Sequence, residues 1–461
     1  MPRSARPLLS LLLAACAGPR GAADDESGPA WQDTTSAADT TGTSGITDAA
    51  VTYHRDIKPI LDAKCVPCHV DRAIAPLALT TYEQARPFAE TIAIATRSGT
   101  MPPWPPAADC REYLDDRSLS AEQLATLQTW QELGAPAGDP ADAPPPPPPP
   151  DPIAPDIELQ LAYPYRPVQA PDEHRCFLLT WPRDQVSFVT ALDLAPGEPR
   201  LVQRAIAYLI APADVDAYRA LDEADPDLGY PCFGGPGPGG AGPQPWLGAW
   251  TPGGTGGALP AGTGVRVEPG SLIALQIHYR PRADVDADQS RLRLRTAPDV
   301  EHPAVVLPFT DPNWVTGLSP MLIPAGEPDV AHDYALDIAG VLPLLYPDGP
   351  FVPGGSFVIR AAALHQHRLG TRSALAVVRG GGETDCILEI PRWDLDWQGS
   401  YALREPVPVA PGDQLRLACH WDNSIAHQPV VDGAPQAPRD VLWGEGASDE
   451  MCLGLLYITA D

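Results

Sequence analysis

The sequence predicts a multidomain chain: a small all-α domain followed by two all-β antiparallel sandwich domains. Three observations carry this expectation. Helix-opening signals and an apolar stripe at helical spacing fill residues 51–138. A proline run, Pro144 to Pro150, then interrupts the chain. Beyond Ile157, short β-type runs separated by Gly, Pro and Asp turns recur without intervening helices over about 300 residues. That length is large for one sandwich and comfortable for two.

The first element is an export signal. Arg3 and Arg6 precede an apolar run, Leu8 to Ala15, that is too short to cross a bilayer as a mature helix. It ends in Leu13-Ala14-Ala15-Cys16, the form of a bacterial lipoprotein processing site, so residues 1–15 read as a signal peptide and Cys16 as the lipidated mature N-terminus. The expectation is an exported protein, held by a lipid anchor on the periplasmic side of a bacterial membrane or elsewhere in the cell envelope. Residues 16–50 are rich in Ser, Thr, Asp, Gly and Ala and read as a flexible tether.

The all-α domain follows at 51–138. Tyr53 to Lys64 reads as a helix leading into a cysteine motif. Thr81-Tyr82-Glu83-Gln84 has the form of a capping box opening a second helix toward Thr96. Ser120-Ala121-Glu122-Gln123 opens a third, with Leu124, Leu127, Trp130 and Leu133 as its apolar stripe and Gly134 at its C-terminal cap. Residues 139–156 form a Pro-rich linker, extended as polyproline II over the proline run.

Strands are predicted at Val186 to Ala191, Leu201 to Ile210, Leu272 to Tyr279, Ala304 to Pro308, Ser356 to Leu364, Ala374 to Val378 and Gln414 to His420. The two sandwiches are placed at 157–303 and 304–461. Gly234 to Gly264 reads as a long surface loop.

Composition narrows the partners. The 461 residues include 31 basic and 59 acidic side chains, a formal charge of −28 that repels phosphate backbones and argues against nucleic-acid binding. The 58 prolines and 40 glycines, beside 44% hydrophobic residues, fit a globular chain with many turns.

Nine cysteines are present. Cys65-Val66-Pro67-Cys68-His69 is the attachment signature of a c-type haem: two thiols for the vinyl groups and His69 for the iron. Met101, in Gly99-Thr100-Met101-Pro102-Pro103-Trp104, is the expected distal ligand, with His54 as its rival. With Cys16 lipidated and Cys65 and Cys68 on haem, Cys110, Cys176, Cys232, Cys386, Cys419 and Cys452 remain, an even number that favours disulfides in an exported chain. The stretch with Met-Pro-Pro-Trp resembles the bacterial cytochrome c family.

The second chemical signal lies near the C-terminus. His365 and His367, in Leu364-His365-Gln366-His367-Arg368-Leu369-Gly370, stand two apart and share one strand face. Asp449-Glu450-Met451-Cys452 adds a thioether. Two imidazoles and a thioether suit copper cycling through Cu(I).

From about Pro155 onward the chain resembles the type II ascorbate-dependent copper monooxygenases, whose familiar members hydroxylate glycine-extended peptides or phenethylamines. The resemblance implies two β-sandwich domains, each holding one copper. It implies an O2-binding copper at His365, His367 and Met451, and a Cys419–Cys452 disulfide that fixes Met451. It also places a remnant of a second copper site at His278, in Leu275-Gln276-Ile277-His278-Tyr279. The family's adjacent His-His pair falls where this chain has Gln203 and Arg204, and arginine does not ordinarily ligate copper. His174, His420 and His427 are the candidates to repair that site. The expected function is an O2-dependent monooxygenase, hydroxylating a C–H bond of an unknown small-molecule or peptide substrate with electrons from the haem. A redox partner protein or small reductant would supply those electrons. The alternative is a non-catalytic electron-transfer or copper-binding protein with a degenerate monooxygenase fold.

Overall fold

The computed structural model describes residues 50–461 except 72–74, 146–152, 171, 234, 238–244, 251–256, 348, 396, 432–433 and 445–447. The processing site at Cys16, the tether and most of the proline run fall outside the described residues. Residues Ala50–Asp461 form one compact unit.

The helical segment contains α1 (Lys58–Lys64), α2 (Tyr82–Ala85), α3 (Ala89–Arg97) and α4 (Ala121–Glu132). Tyr53–Ile57 is a π-turn rather than the start of α1. Both expected capping boxes form, Thr81 with Gln84 and Ser120 with Gln123. The helix opened by Thr81 is not continuous: Arg86–Phe88 tightens to a 3-10 turn, because Pro87 lacks the N–H a helix interior needs. Leu127 and Trp130 are buried against Tyr53, Ile57 and Leu61. Leu133, expected in the same stripe, is 50% exposed because the helix ends at it. Gly134 follows with φ +78°, the left-handed conformation glycine adopts without strain.

Beyond the linker the chain is mostly β. The first half carries β1 (Ile157–Gln160), β2 (Glu173–Thr180), β3 (Ser187–Ala195), β4 (Val202–Ile210), β5 (Tyr230–Pro231), β6 (Trp246–Trp250), β7 (Gly257–Ala258), β8 (Thr263–Val267), β9 (Leu272–Tyr279) and β10 (Arg291–Ala297). The second carries β11 (His302–Phe309), β12 (Val330–Leu336), β13 (Phe357–His365), β14 (Gly370–Val378), β15 (Thr384–Ile390), β16 (Ser400–Val409), β17 (Gln414–Trp421), β18 (Val430–Val431), β19 (Ala434–Pro435) and β20 (Leu453–Ala460).

Two sandwiches result. A five-stranded sheet in the order β5-β2-β9-β4-β6 covers one end of a large sheet ordered β1-β10-β3-β8-β11-β20-β13-β16. Phe177, Val189, Leu192, Ile273, Leu275 and Leu294 fill the space between them. A four-stranded sheet, β12-β17-β14-β15, covers the other end over Phe309, Phe357, Ile359, Leu375, Leu417 and Ile458. Every residue of β9 is buried, as a central strand covered on both faces requires.

Three expectations need correction. The strands do not run without intervening helices, since Val215–Ala224, Pro312–Thr316 and Leu342–Leu345 are helical. The sandwiches are not wholly antiparallel: β8 and β11 pair in parallel, His302 opposite Thr263, and this seam makes one sheet run through both. The Gly234 to Gly264 stretch is not all loop. Trp246–Trp250 pairs with β4 as an edge strand, because Leu247 finds the core and is fully buried.

Among the described residues three disulfides are present: Cys110–Cys386, Cys176–Cys232 and Cys419–Cys452. Among the described residues no helix is long and apolar enough to cross a membrane.

Candidate functional site

The pairing of β13 with β20 places His365 opposite Leu453, two residues from Met451. His367 and Met451 are buried, at 3% and 5% exposure, and His365 is half-buried. The two imidazole rings stand 5.2 Å apart at 78°. The Cys419–Cys452 bridge joins β17 to the residue after Met451, tying the two sheets of this sandwich together beside it.

Each ring is held through the same nitrogen. His365 Nδ1 donates to Gln398 Oε1 at 2.5 Å. Gln398 Nε2 donates to Leu395 O at 2.8 Å, which fixes the amide with its oxygen toward the ring. His367 Nδ1 donates to Asp449 O at 2.9 Å. Both partners can only accept, so the proton sits on Nδ1 and Nε2 keeps its lone pair. An acceptor behind each imidazole is the arrangement that orients metal-binding histidines. Burial lowers the pKa of both rings, that of His365 to about 3, so both are neutral and able to ligate.

The connecting turn is clamped by Glu450. Its carboxylate accepts from His367 N at 2.9 Å, Leu369 N at 2.6 Å and Trp421 Nε1 at 2.9 Å. Burial nevertheless pushes its pKa up to about 7. Trp393 Nε1 donates to His367 O at 3.0 Å. Gly370 closes the turn, since a Cβ there would meet Gln366 at 2.8 Å and Trp393 at 2.9 Å.

The N-terminal sandwich presents a different row. His278 on β9 lies opposite His174 on β2 and Arg204 on β4, so the three form a line across one sheet face. Gln203 falls where the β4 register shifts, at a bulge that carries Arg204 into the row. The His174 and His278 rings stack at 4.2 Å and 9°. His278 Nε2 lies 3.1 Å from Asp172 Oδ1, and His174 Nε2 is buried with no hydrogen-bond partner. Burial first holds both histidines near pKa 3, followed by His278 and then Arg204 at His174, and by Arg204 and then Arg280 at His278.

The two rows face one another. Phe233 lies edge-on to His174 at 4.8 Å and 5.6 Å from His367. Arg204 Nη1 reaches Leu395 O at 3.3 Å, the carbonyl that also holds Gln398. Among the remaining histidines, His420 meets Arg372 and Asp329, and His427 sits in a turn on Ser424. Among the described residues no group of three or more His, Cys, Asp or Glu side chains is arranged to hold a metal. The C-terminal set, two imidazoles and a thioether, is of different composition.

In the helical segment, His69 Nδ1 lies 3.0 Å from Leu77 O, which leaves Nε2 to face outward from that contact. Burial lowers its pKa, so the ring is neutral. Cys65 and Cys68 lie outside the three disulfides, and burial pushes the Cys65 thiol up to about 12. Met101 is half-buried in the loop after α3, its N–H on Ala95 O at 3.1 Å. His54 packs against Tyr53 and Tyr82.

The sequence pattern pointed to none of Glu450, Gln398, Trp393 or Phe233. Only Glu450 left a local signal, an acidic side chain directly before Met451 in a segment otherwise entering a buried strand.

Residues 352–459 match the family model described as copper type II ascorbate-dependent monooxygenase, C-terminal domain. No curated protein matches the chain. Among solved structures, the major capsid protein P2 from bacteriophage PM2 aligns at 7% identity over 63% of this chain and 97% of that chain, with a TM-score of 0.22. That likeness is too slight to carry an argument. The family match covers the segment bearing His365, His367, Met451 and the Cys419–Cys452 bridge, and it supports a copper-dependent monooxygenase-like function for the C-terminal sandwich.

Proposed function

We propose that this chain is an exported haem- and copper-containing monooxygenase, with a 51–138 cytochrome c domain feeding a single copper centre in the 304–461 sandwich. The observation that carries the copper reading is the matched orientation of His365 and His367, each tied at Nδ1 and leaving Nε2 available. When bound between two imidazoles and a thioether, copper supplies one-electron chemistry and activates O2 for C–H hydroxylation. The chain's own residues hold that site rigid. Gln398 and the Asp449 carbonyl fix the ring planes, Glu450 fixes the turn, and the Cys419–Cys452 bridge fixes the approach to Met451.

Cys65, Cys68 and His69 fit covalent haem, and Met101 is the distal ligand we assign, with His54 the rival. Bound there, haem stores and passes on one electron. The two cysteines outside the disulfides and the oriented neutral His69 support this. The row at His278 takes no copper in this reading, because Arg204 places a fixed cation beside both histidines. Export fits the three disulfides, which persist in oxidising compartments. Lipidation of Cys16 would hold the protein at a membrane. The substrate is a small molecule or peptide able to enter between the two rows.

One observation favours a second reading, a non-catalytic electron-transfer or copper-binding protein: the family's second site is replaced by Arg204. The experiment is elemental analysis of copper and haem in protein matured in a periplasm, with O2 uptake measured beside it. One copper per haem, lost in His365→Ala together with reductant-driven O2 uptake, supports the monooxygenase. Copper without O2 uptake supports the carrier. Absence of copper removes both.

A further inference from the structure

The helical segment is fastened to the C-terminal sandwich through residues 99–114. Cys110 is bridged to Cys386 on β15. Ala107 N donates to Glu389 O at 2.9 Å, Leu114 N to Ala402 O at 2.8 Å, and Arg404 N to Glu112 O at 3.1 Å. Arg392 Nη2 donates to Gly99 O at 2.8 Å, two residues before Met101. Tyr113 forms a bridge with Leu403, and its hydroxyl donates to Ile387 O at 3.0 Å.

Three aromatic rings meet at this junction. Trp104, three residues after Met101, lies edge-on to Tyr401 at 5.3 Å, and Tyr113 lies 6.2 Å from Trp104 and 5.7 Å from Tyr401. Pro105 lines one narrow cleft with Leu364, Trp393, Gln398 and Tyr401. Two of these lining residues reach the histidine pair: Gln398 holds His365 Nδ1, and Trp393 stands 6.4 Å from the His365 ring. An unbroken line of covalent bonds, ring contacts and hydrogen bonds therefore joins the Met101 loop to the histidine pair.

The geometry points to Trp104, Tyr401, Gln398 and Trp393 as the route by which an electron passes from the helical domain to the copper ligands. This rests on the haem–copper reading above. One electron leaves ferrous haem, which becomes ferric, and reaches Cu(II), which becomes Cu(I). No bond forms or breaks, no proton moves, and the rings stay closed-shell, acting as a packed medium between the centres. The Cys110–Cys386 bridge holds that medium fixed.

The test uses the full haem- and copper-loaded chain. Haem is quantified by its absorption spectrum, copper by elemental analysis, and the disulfides by mass spectrometry. One electron equivalent is then added without O2, while haem absorbance and the Cu(II) electron paramagnetic resonance signal are followed together. In the native protein, haem reduces and then reoxidises as the Cu(II) signal falls. Trp104→Leu is expected to keep full haem, full copper and unaltered resonance parameters, yet to slow the reoxidation of haem and the fall of the Cu(II) signal together. Trp104→Phe, which keeps a ring, is expected to restore transfer. Cys110→Ser with Cys386→Ser supplies an independent variant, expected to slow transfer without copper loss. Unchanged transfer in Trp104→Leu with both centres loaded would overturn the route. Native protein lacking haem or copper would instead overturn the underlying reading, and the route with it.

Discussion

The C-terminal and N-terminal histidine sets are built from the same parts and reach opposite states. Each places two imidazoles on a sheet face inside a disulfide-bonded sandwich. At His365 and His367 the rings are splayed at 78°, each with an acceptor at Nδ1. At His174 and His278 the rings lie flat against each other, one tied to Asp172 through Nε2, with Arg204 next in line. In the reading proposed above, residue type alone does not make a copper site; the direction of the lone pairs and the sign of the nearest fixed charge separate the two sets.

The largest expected effect separates the two sets directly. His365→Ala should abolish stoichiometric copper by elemental analysis, and retention of full copper would remove the C-terminal set as the ligands. Glu450→Ala comes next. It strips the acceptor from three donors, His367 N, Leu369 N and Trp421 Nε1, at about 1–3 kcal/mol for each buried group left unsatisfied. Urea denaturation should show that loss, with Glu450→Gln recovering part of it. Removing the Cys419–Cys452 bridge as a double serine variant should cost about 2–4 kcal/mol in the same assay, with weaker copper retention.

A smaller effect probes the N-terminal row. His174 and His278 are held at about 3 against an ordinary 6.5. A base whose folded pKa is depressed stabilises the fold above its unfolded pKa and loses that contribution as pH falls toward the folded value. Stability should therefore drop by about 2 kcal/mol per histidine between pH 6.5 and 5. Denaturant midpoints across that window would measure it, and Arg204→Gln should flatten the slope. Least of all, His278→Ala should leave copper content unchanged. Loss of half the copper would instead place a second ion in the row.

Local chemistry explains what was legible in the sequence. β9 has the bounds its apolar run suggested, because a central strand covered on both faces must be apolar nearly throughout. Both capping boxes are local, and both formed. What escaped is non-local. β6 hides among glycines and prolines, and only Leu247 entering the core marks it as a strand. His174 stands beside His278 through the β2–β9 register, which neither strand encodes by itself. Gln398 is 33 residues from the ring it orients. Nothing in β8 or β11 announces that they pair in parallel.

That parallel seam governs how the molecule can move. Main-chain hydrogen bonds run from β3 through β8 and β11 to β20, and Thr263 Oγ1 meets Tyr457 Oη across the junction at 2.8 Å. Two sandwiches joined by a loop can hinge, and such a hinge sets the gap between them afresh with every ligand. Two sandwiches that share a sheet behave as one beam, and opening the gap would mean tearing a ladder of backbone bonds. Phe233, packed against His174 on one side and His367 on the other, is accordingly held in a spacing that the shared sheet sets rather than a hinge.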